Sequence, residues 1–180
     1  MRGRSWRTRK ATSSAFCNRR PTTRPSPSTT TSESRCWTKE ASAMRRLNEL
    51  EVAQLLRSDT VARLATVDGD GFPHVTPIWF LWDNGRFLLT SYAGRPHLRR
   101  AAENSRVGLV IDVEQPLRAD GERPNKQIRV IGDATVAEDP EGLWTARIRT
   151  KYLGPDTPAV PAERRLITVV PRRIVAIASV

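Results

Sequence analysis

From Leu47 onward the chain alternates between helical and strand-like spacing of its apolar residues. Leu47, Leu50, Ala53 and Leu56 recur every third residue, which predicts one face of a short amphipathic helix ending at Arg57. Val61 to Val67 is a β-branched apolar run. Asp68-Gly69-Asp70-Gly71 is a strong turn signal, and Phe72 to Trp82 reads as the next strand. Pro73 and Pro77 each remove a ladder donor from it, so it belongs at an edge or carries a bulge. Asp83-Asn84-Gly85 then turns the chain into a third strand, Arg86–Ser91, and the pattern is that of an antiparallel meander.

Pro96 suits the first position of a helix running from His97 to Asn104. Val107 to Val113 reads as a strand and Glu114 to Lys126 as a long loop. Gln127 to Ala137 is a further strand, with Gly132 a candidate bulge. Asp139-Pro140-Glu141 has the chemistry of a helix start, Asp capping and Pro at the first position. Trp144, Ile148 and Tyr152 would then face the core, and Gly154-Pro155 would end that helix. After a linker to Ala162, Arg164–Val170 and Arg172–Val180 read as two final strands separated by Pro171. Seven strands and three helices predict a mainly β fold with peripheral helices, a closed or split barrel.

Charge changes this picture less than its total suggests. The 180 residues carry a formal +11, which points first to nucleic acid. Residues 1–43, however, hold ten Lys/Arg against two acids, and the other 137 residues carry 20 against 17. The domain from residue 44 to 180 is therefore nearly balanced, without the basic stripe of a nucleic-acid platform. Residues 1–43 are rich in Ser, Thr, Arg and Pro, with too little apolar surface to offset ordering, and are expected to be a disordered extension. Met44 is expected to be the natural start; a basic arm for nucleic acid or a partner is the alternative. Both cysteines, Cys17 and Cys36, lie in this tail, which suggests a reducing, cytoplasmic compartment and no structural disulfide. No apolar run approaches the roughly 18 residues that span a membrane, and Arg19-Arg20 is followed by prolines rather than an export signal's apolar segment.

Candidate chemistry concentrates in Thr90-Ser91-Tyr92-Ala93-Gly94-Arg95-Pro96. Hydroxyls, a guanidinium and helix-start amides are what a phosphate needs, and Thr90, Ser91 and Arg95 would supply them with help from Arg99 and Arg100. An ordinary polar loop beside a solvated basic helix face accounts for the same residues. His74 and His97 are the only histidines, and no metal-ligand spacing, nucleophile elbow, Walker loop or dinucleotide fingerprint accompanies them. Trp79, Phe80 and Trp82 form an aromatic cluster that alternation would divide between the core and a flat outer wall.

Taken in order, Val61–His74, Leu89-Thr90-Ser91 through Arg95, Glu103–Val107 and Gln127–Gly132 resemble the flavin-binding split barrel, the superfamily of pyridoxamine 5'-phosphate oxidase and the flavin/deazaflavin oxidoreductases. The resemblance implies an FMN-binding split β-barrel that forms a homodimer with cofactor sites at the interface. It implies that Val75, Thr76, Pro77, Ile78, Trp79 and Phe80 lie along the cofactor, that Thr90 and Arg95 hold its phosphate with Ser91 beside them, and that Gln127 reaches it from the facing subunit. Departures from the true oxidase are informative. Val75 and Phe80 stand where it has arginine and lysine, Pro96 stands where a lysine follows the phosphate-binding arginine, and its C-terminal Arg-x-His is absent. Pro77-Ile78-Trp79-Phe80 looks instead like the branch that includes enzymes of the deazaflavin coenzyme F-420. The function implied is hydride transfer to or from a small organic substrate with FMN or F-420 as cofactor, with no catalytic side chain assigned. A non-catalytic carrier of flavin, F-420 or a tetrapyrrole is the alternative.

Overall fold

The computed structural model describes residues 44–158 and 163–179; the expectations for residues 1–43 lie outside them. The described chain begins with β1 (Met44–Arg46) and α1 (Glu49–Arg57). Asn48 and Glu51 form a capping box at the start of α1, each side chain taking the other's backbone amide (2.9 and 3.1 Å). Five strands and a helix follow: β2 (Ala62–Val67), β3 (Pro73–Ile78), β4 (Phe80–Asp83), β5 (Arg86–Tyr92), α2 (Pro96–Glu103) and β6 (Arg106–Glu114). The chain continues with β7 (Asn125–Glu138), a 3-10 turn (Pro140–Gly142), α3 (Leu143–Leu153) and β8 (Arg164–Ser179).

All strand pairings are antiparallel, in the order β3-β2-β6-β7-β8-β5-β4, with β1 added to β8. The inward residues of every strand from β2 to β8 meet in one core, among them Leu64, Ile78, Phe80, Phe87, Leu109, Ile128 and Ile167. This is a split β-barrel: β3 and β4 are consecutive in the chain yet sit at opposite ends of the strand path. The Asn84-Gly85 turn takes the left-handed conformation at both residues (φ 47° and 76°), the geometry of a tight hairpin and one that the sequence chemistry favours.

The structure corrects the sequence reading at four places. Phe72–Trp82 is not one strand; the ladder breaks at Trp79, and Phe80 begins β4 at the other edge of the sheet. Pro73 and Pro77 do sit in an edge strand. Arg164–Ser179 is one strand through Pro171, because β5 pairs only with Arg164–Val169 and β1 only with Ile177–Ser179. Pro171 falls between those two partners, where a missing amide costs little. The register shift lies beside Gly132 as expected, but the extra residue is Arg172 on β8, since Ile131 faces Arg173 and Gly132 faces Pro171. Glycine is needed there for close approach: a Cβ would stand 2.5 Å from the Val170 carbonyl oxygen. Finally, Leu50 on α1 is 66% exposed, and the helix buries Leu55 instead, with Leu47 packing from the preceding link.

Candidate functional site

A groove of about 700 Å3 opens where the strand break, the end of β5 and the starts of α2 and β8 converge. Seven of the ten residues expected at a cofactor site line it: Thr76, Pro77, Ile78, Trp79, Thr90, Ser91 and Arg95. The other three lie elsewhere. Phe80 is fully buried in the core against Phe87 (ring centroids 6.0 Å), turned away from the groove by the break itself. Val75 points outward at 63% exposure. Gln127 lies near the start of β7, where its Oε1 accepts from Arg129 Nε at 2.7 Å, and does not line the groove of its own chain.

The α2 end of the groove is built locally. Gly94 takes a left-handed turn (φ 77°), Arg95 is the N-cap, and Pro96 opens the helix. Pro96 has no amide to donate and Leu98's is turned back onto the Arg95 carbonyl (3.0 Å), so donors at this helix start come mainly from side chains. Thr90 and Ser91 are buried at the end of β5. Arg100 donates from Nε to Thr66 Oγ1 at 2.9 Å and so is fixed against β2. His97 is buried; desolvation, with the charges of Arg100 and Arg95, holds its pKa below the usual histidine value, and the ring is neutral at pH 7.

Sequence reasoning missed the residues that arrive from the C-terminal third. Arg164, the first residue of β8, pairs across from Tyr92 and lies over its ring with the guanidinium carbon 4.3 Å from the centroid. Its Nη2 donates to Thr90 Oγ1 at 3.2 Å. Arg149 reaches the same groove from α3. Four arginines (Arg95, Arg100, Arg149 and Arg164) therefore line the groove, and no Asp or Glu does among the described residues. Three buried side-chain nitrogens there, His97 Nε2, Arg149 Nε and Arg164 Nε, have no hydrogen-bond partner among the described residues. Unmade bonds of that kind are costly, and the two guanidinium Nε–H groups keep an unused capacity to donate. The only signal for Arg149 and Arg164 in the sequence was their basic character, shared with 28 other Lys and Arg residues.

Opposite the arginines, the strand break is clamped by α3. Tyr152 Oη accepts from the Phe80 amide (3.2 Å) and donates to the Thr60 carbonyl (3.0 Å), while its ring stacks on Trp79 at 4.7 Å and 5°. Burial raises its pKa to about 12. Lys151 Nζ donates to the Leu56 and Phe80 carbonyls (both 3.1 Å) and sits 3.5 Å from the Phe80 ring centroid; burial lowers its pKa to about 8. These two side chains satisfy the Phe80 backbone at the break together with carbonyls of the α1 end and the link after it, and they fix Trp79 as a groove wall. His74 serves a hairpin rather than the groove: its Nε2 meets Asp68 Oδ2 at 2.6 Å, while Asp68 Oδ1 accepts from the amides of Asp70 and Phe72. Among the described residues, no group of three His, Cys, Asp or Glu is placed to hold a metal ion, and no helix is long and apolar enough to cross a membrane.

Comparison with known proteins places this geometry in context. A family model described as pyridoxamine 5'-phosphate oxidase matches residues 49–178. A solved F-420 reductase is 28% identical, over 67% of this chain and 93% of that one, with a TM-score of 0.52. An FAD-binding protein from Mesorhizobium loti is 20% identical over 76% of this chain and 99% of that one, with a TM-score of 0.57. A putative 5-nitroimidazole antibiotic resistance protein from Bacteroides thetaiotaomicron is 14% identical over 76% and 89%, with a TM-score of 0.62. No curated protein sequence matches.

Proposed function

The chain belongs to the pyridoxamine 5'-phosphate oxidase family, and from that premise we propose that it is an FMN- or F-420-dependent oxidoreductase acting on a small organic molecule. The observation that carries this reading is the acid-free, arginine-lined groove beside the Trp79 break, with buried donors left without partners. Those residues fit a ring bearing an anionic tail. Thr90, Ser91 and Arg95 would hold the phosphate, and Thr76, Pro77, Ile78 and Trp79 would border the ring. The stack of Trp79 on Tyr152 would keep water from that wall. Bound there, the cofactor would supply hydride transfer, which requires no acid–base dyad from the protein. Among the described residues the groove lining holds one histidine, His97, and no Asp or Glu to pair with it.

Vitamer oxidation is not part of this proposal, because the position that would carry a substrate-holding lysine is Phe80, sealed in the core. A homodimer with sites at its interface gives Gln127 and Val75 a place, each then meeting the cofactor or the facing subunit. The absence of any Asp or Glu from the groove lining among the described residues is as compatible with a second reading, a carrier that binds FMN, F-420 or a tetrapyrrole without turnover.

Titration of the full chain with FMN and with F-420, followed by fluorescence, tests the binding half. Saturable binding of at least one is expected, weakened about 10- to 100-fold by Arg95→Ala, the loss of one charge-assisted contact. Binding of neither would overturn the oxidoreductase reading. Turnover of the loaded protein with a panel of electron acceptors then separates enzyme from carrier.

A further inference from the structure

The groove holds more positive charge than one phosphate uses, and it holds it in two groups of different origin. Arg95 and Arg100 come from the start of α2, next to the Thr90 and Ser91 hydroxyls. Arg149 comes from α3 and Arg164 from β8. In the second group each guanidinium keeps its Nε buried and without a partner. The bonds they do make are long and made through one terminal nitrogen: Arg149 Nη2 to the Pro158 carbonyl at 3.4 Å, Arg164 Nη2 to Thr90 at 3.2 and 3.4 Å. Nε is one tooth of the fork with which an arginine grips an oxyanion. Burial lowers the Arg164 pKa, and the nearby Arg149 charge adds to the effect. Asp139 acts on Arg164 from the adjoining cavity, but no carboxylate lines the groove itself, so on this face the two like charges stand in a partly dry wall without an acid beside them.

We propose that Arg149 and Arg164 form a second anion subsite in this groove, so that its ligand carries two anionic groups in succession, the first at Thr90, Ser91 and Arg95 and the second between α3 and β8. A diphosphate, or a phosphodiester followed by a carboxylate, has this form; a lone phosphate monoester does not. Within the cofactor reading above, on which this rests for the ring but not for the anions, the subsite selects FAD or F-420 over FMN.

Calorimetry on the full chain with inorganic phosphate and pyrophosphate tests the subsite without any ring. Pyrophosphate is expected to bind at least about tenfold more tightly, the worth of one added charge-assisted contact. Arg149→Leu is expected to erase that advantage while leaving the circular dichroism spectrum unchanged, and Arg149→Lys to restore part of it. Equal affinities in the wild type, or an advantage that survives Arg149→Leu, would overturn the proposal. The same titrations with FMN, FAD and F-420 separate the two readings. A pyrophosphate preference that depends on Arg149, with no cofactor bound, supports the subsite and removes the oxidoreductase. FMN bound as tightly as FAD and F-420, with phosphate as tight as pyrophosphate, removes the subsite and keeps the oxidoreductase.

Discussion

Lys151 and Arg149 lie two residues apart on α3 and meet opposite fates. Lys151 points at the strand break, where it donates hydrogen bonds to the Leu56 and Phe80 carbonyls. Arg149 points into the groove, where its Nε has no partner. Successive positions on a helix are about 100° apart, so two residues place side chains on nearly opposite faces. The contrast separates structural from ligand-directed cations. A cation saturated by backbone carbonyls stabilises the fold and has little left for a ligand. One held beside like charges without acceptors adds little to the fold, and its unmade bonds are a capacity for binding.

The joint on the Lys151 side should be sensitive to substitution and the groove side tolerant. Phe80→Ala should have the largest effect, about 3–5 kcal/mol of stability, as expected for a fully buried aromatic. Urea denaturation measures it, and a loss below about 1 kcal/mol would show that Phe80 is not the core residue described. Tyr152→Phe keeps the ring on Trp79 but leaves the Phe80 amide and the Thr60 carbonyl without the hydroxyl; a loss of about 1–3 kcal/mol is expected from the same measurement.

Lys151 adds a pH dependence whose sign can be worked out. Its pKa is about 8 in the folded protein against an ordinary value of 10.5. Between those values the unfolded chain binds the extra proton, so stability should rise with pH across this window. Tyr152 acts oppositely from pH 10 to about 12, where the folded protein keeps a proton that the unfolded chain has lost. The stability of wild type relative to Lys151→Met should therefore rise from pH 8 to pH 10; a flat difference would mean that the amine is not desolvated. Arg149→Leu should have the smallest effect, within about 0.5 kcal/mol at pH 7, because no well-made bond is lost. A loss comparable to that of Lys151→Met would break the distinction between the two cations.

The legibility of the site follows the same division. Thr90, Ser91 and Arg95 are contiguous, and the strand end, left-handed Gly94 and Pro96 that position them are local chemistry. A phosphate-binding reading was therefore available from the sequence, although the competing polar-loop reading stayed open there. Arg149 and Arg164 were not legible as groove residues, because their approach depends on α3 and β8 folding back across β5. The family resemblance set Phe80 along the cofactor as part of one strand with Val75–Trp79, and the break at Trp79 sent it to the core.

Sequence alone determined the parts whose physics is complete within a few residues. The Asn84-Gly85 hairpin, the edge position of the two-proline strand, the Pro96 helix start, the Gly132 irregularity and the mainly β barrel all follow from backbone preferences and apolar period. Tertiary structure decided where the long strands break or run on. Pro171 is tolerated because neither second partner of β8 reaches it, and Trp79 is a break because Tyr152 and Lys151 satisfy the backbone there. It also decided which cations lack acceptors. A residue's conformational preference acts over its neighbours, but whether a polar group finds a partner depends on segments up to a hundred positions away, and only the folded chain brings them together.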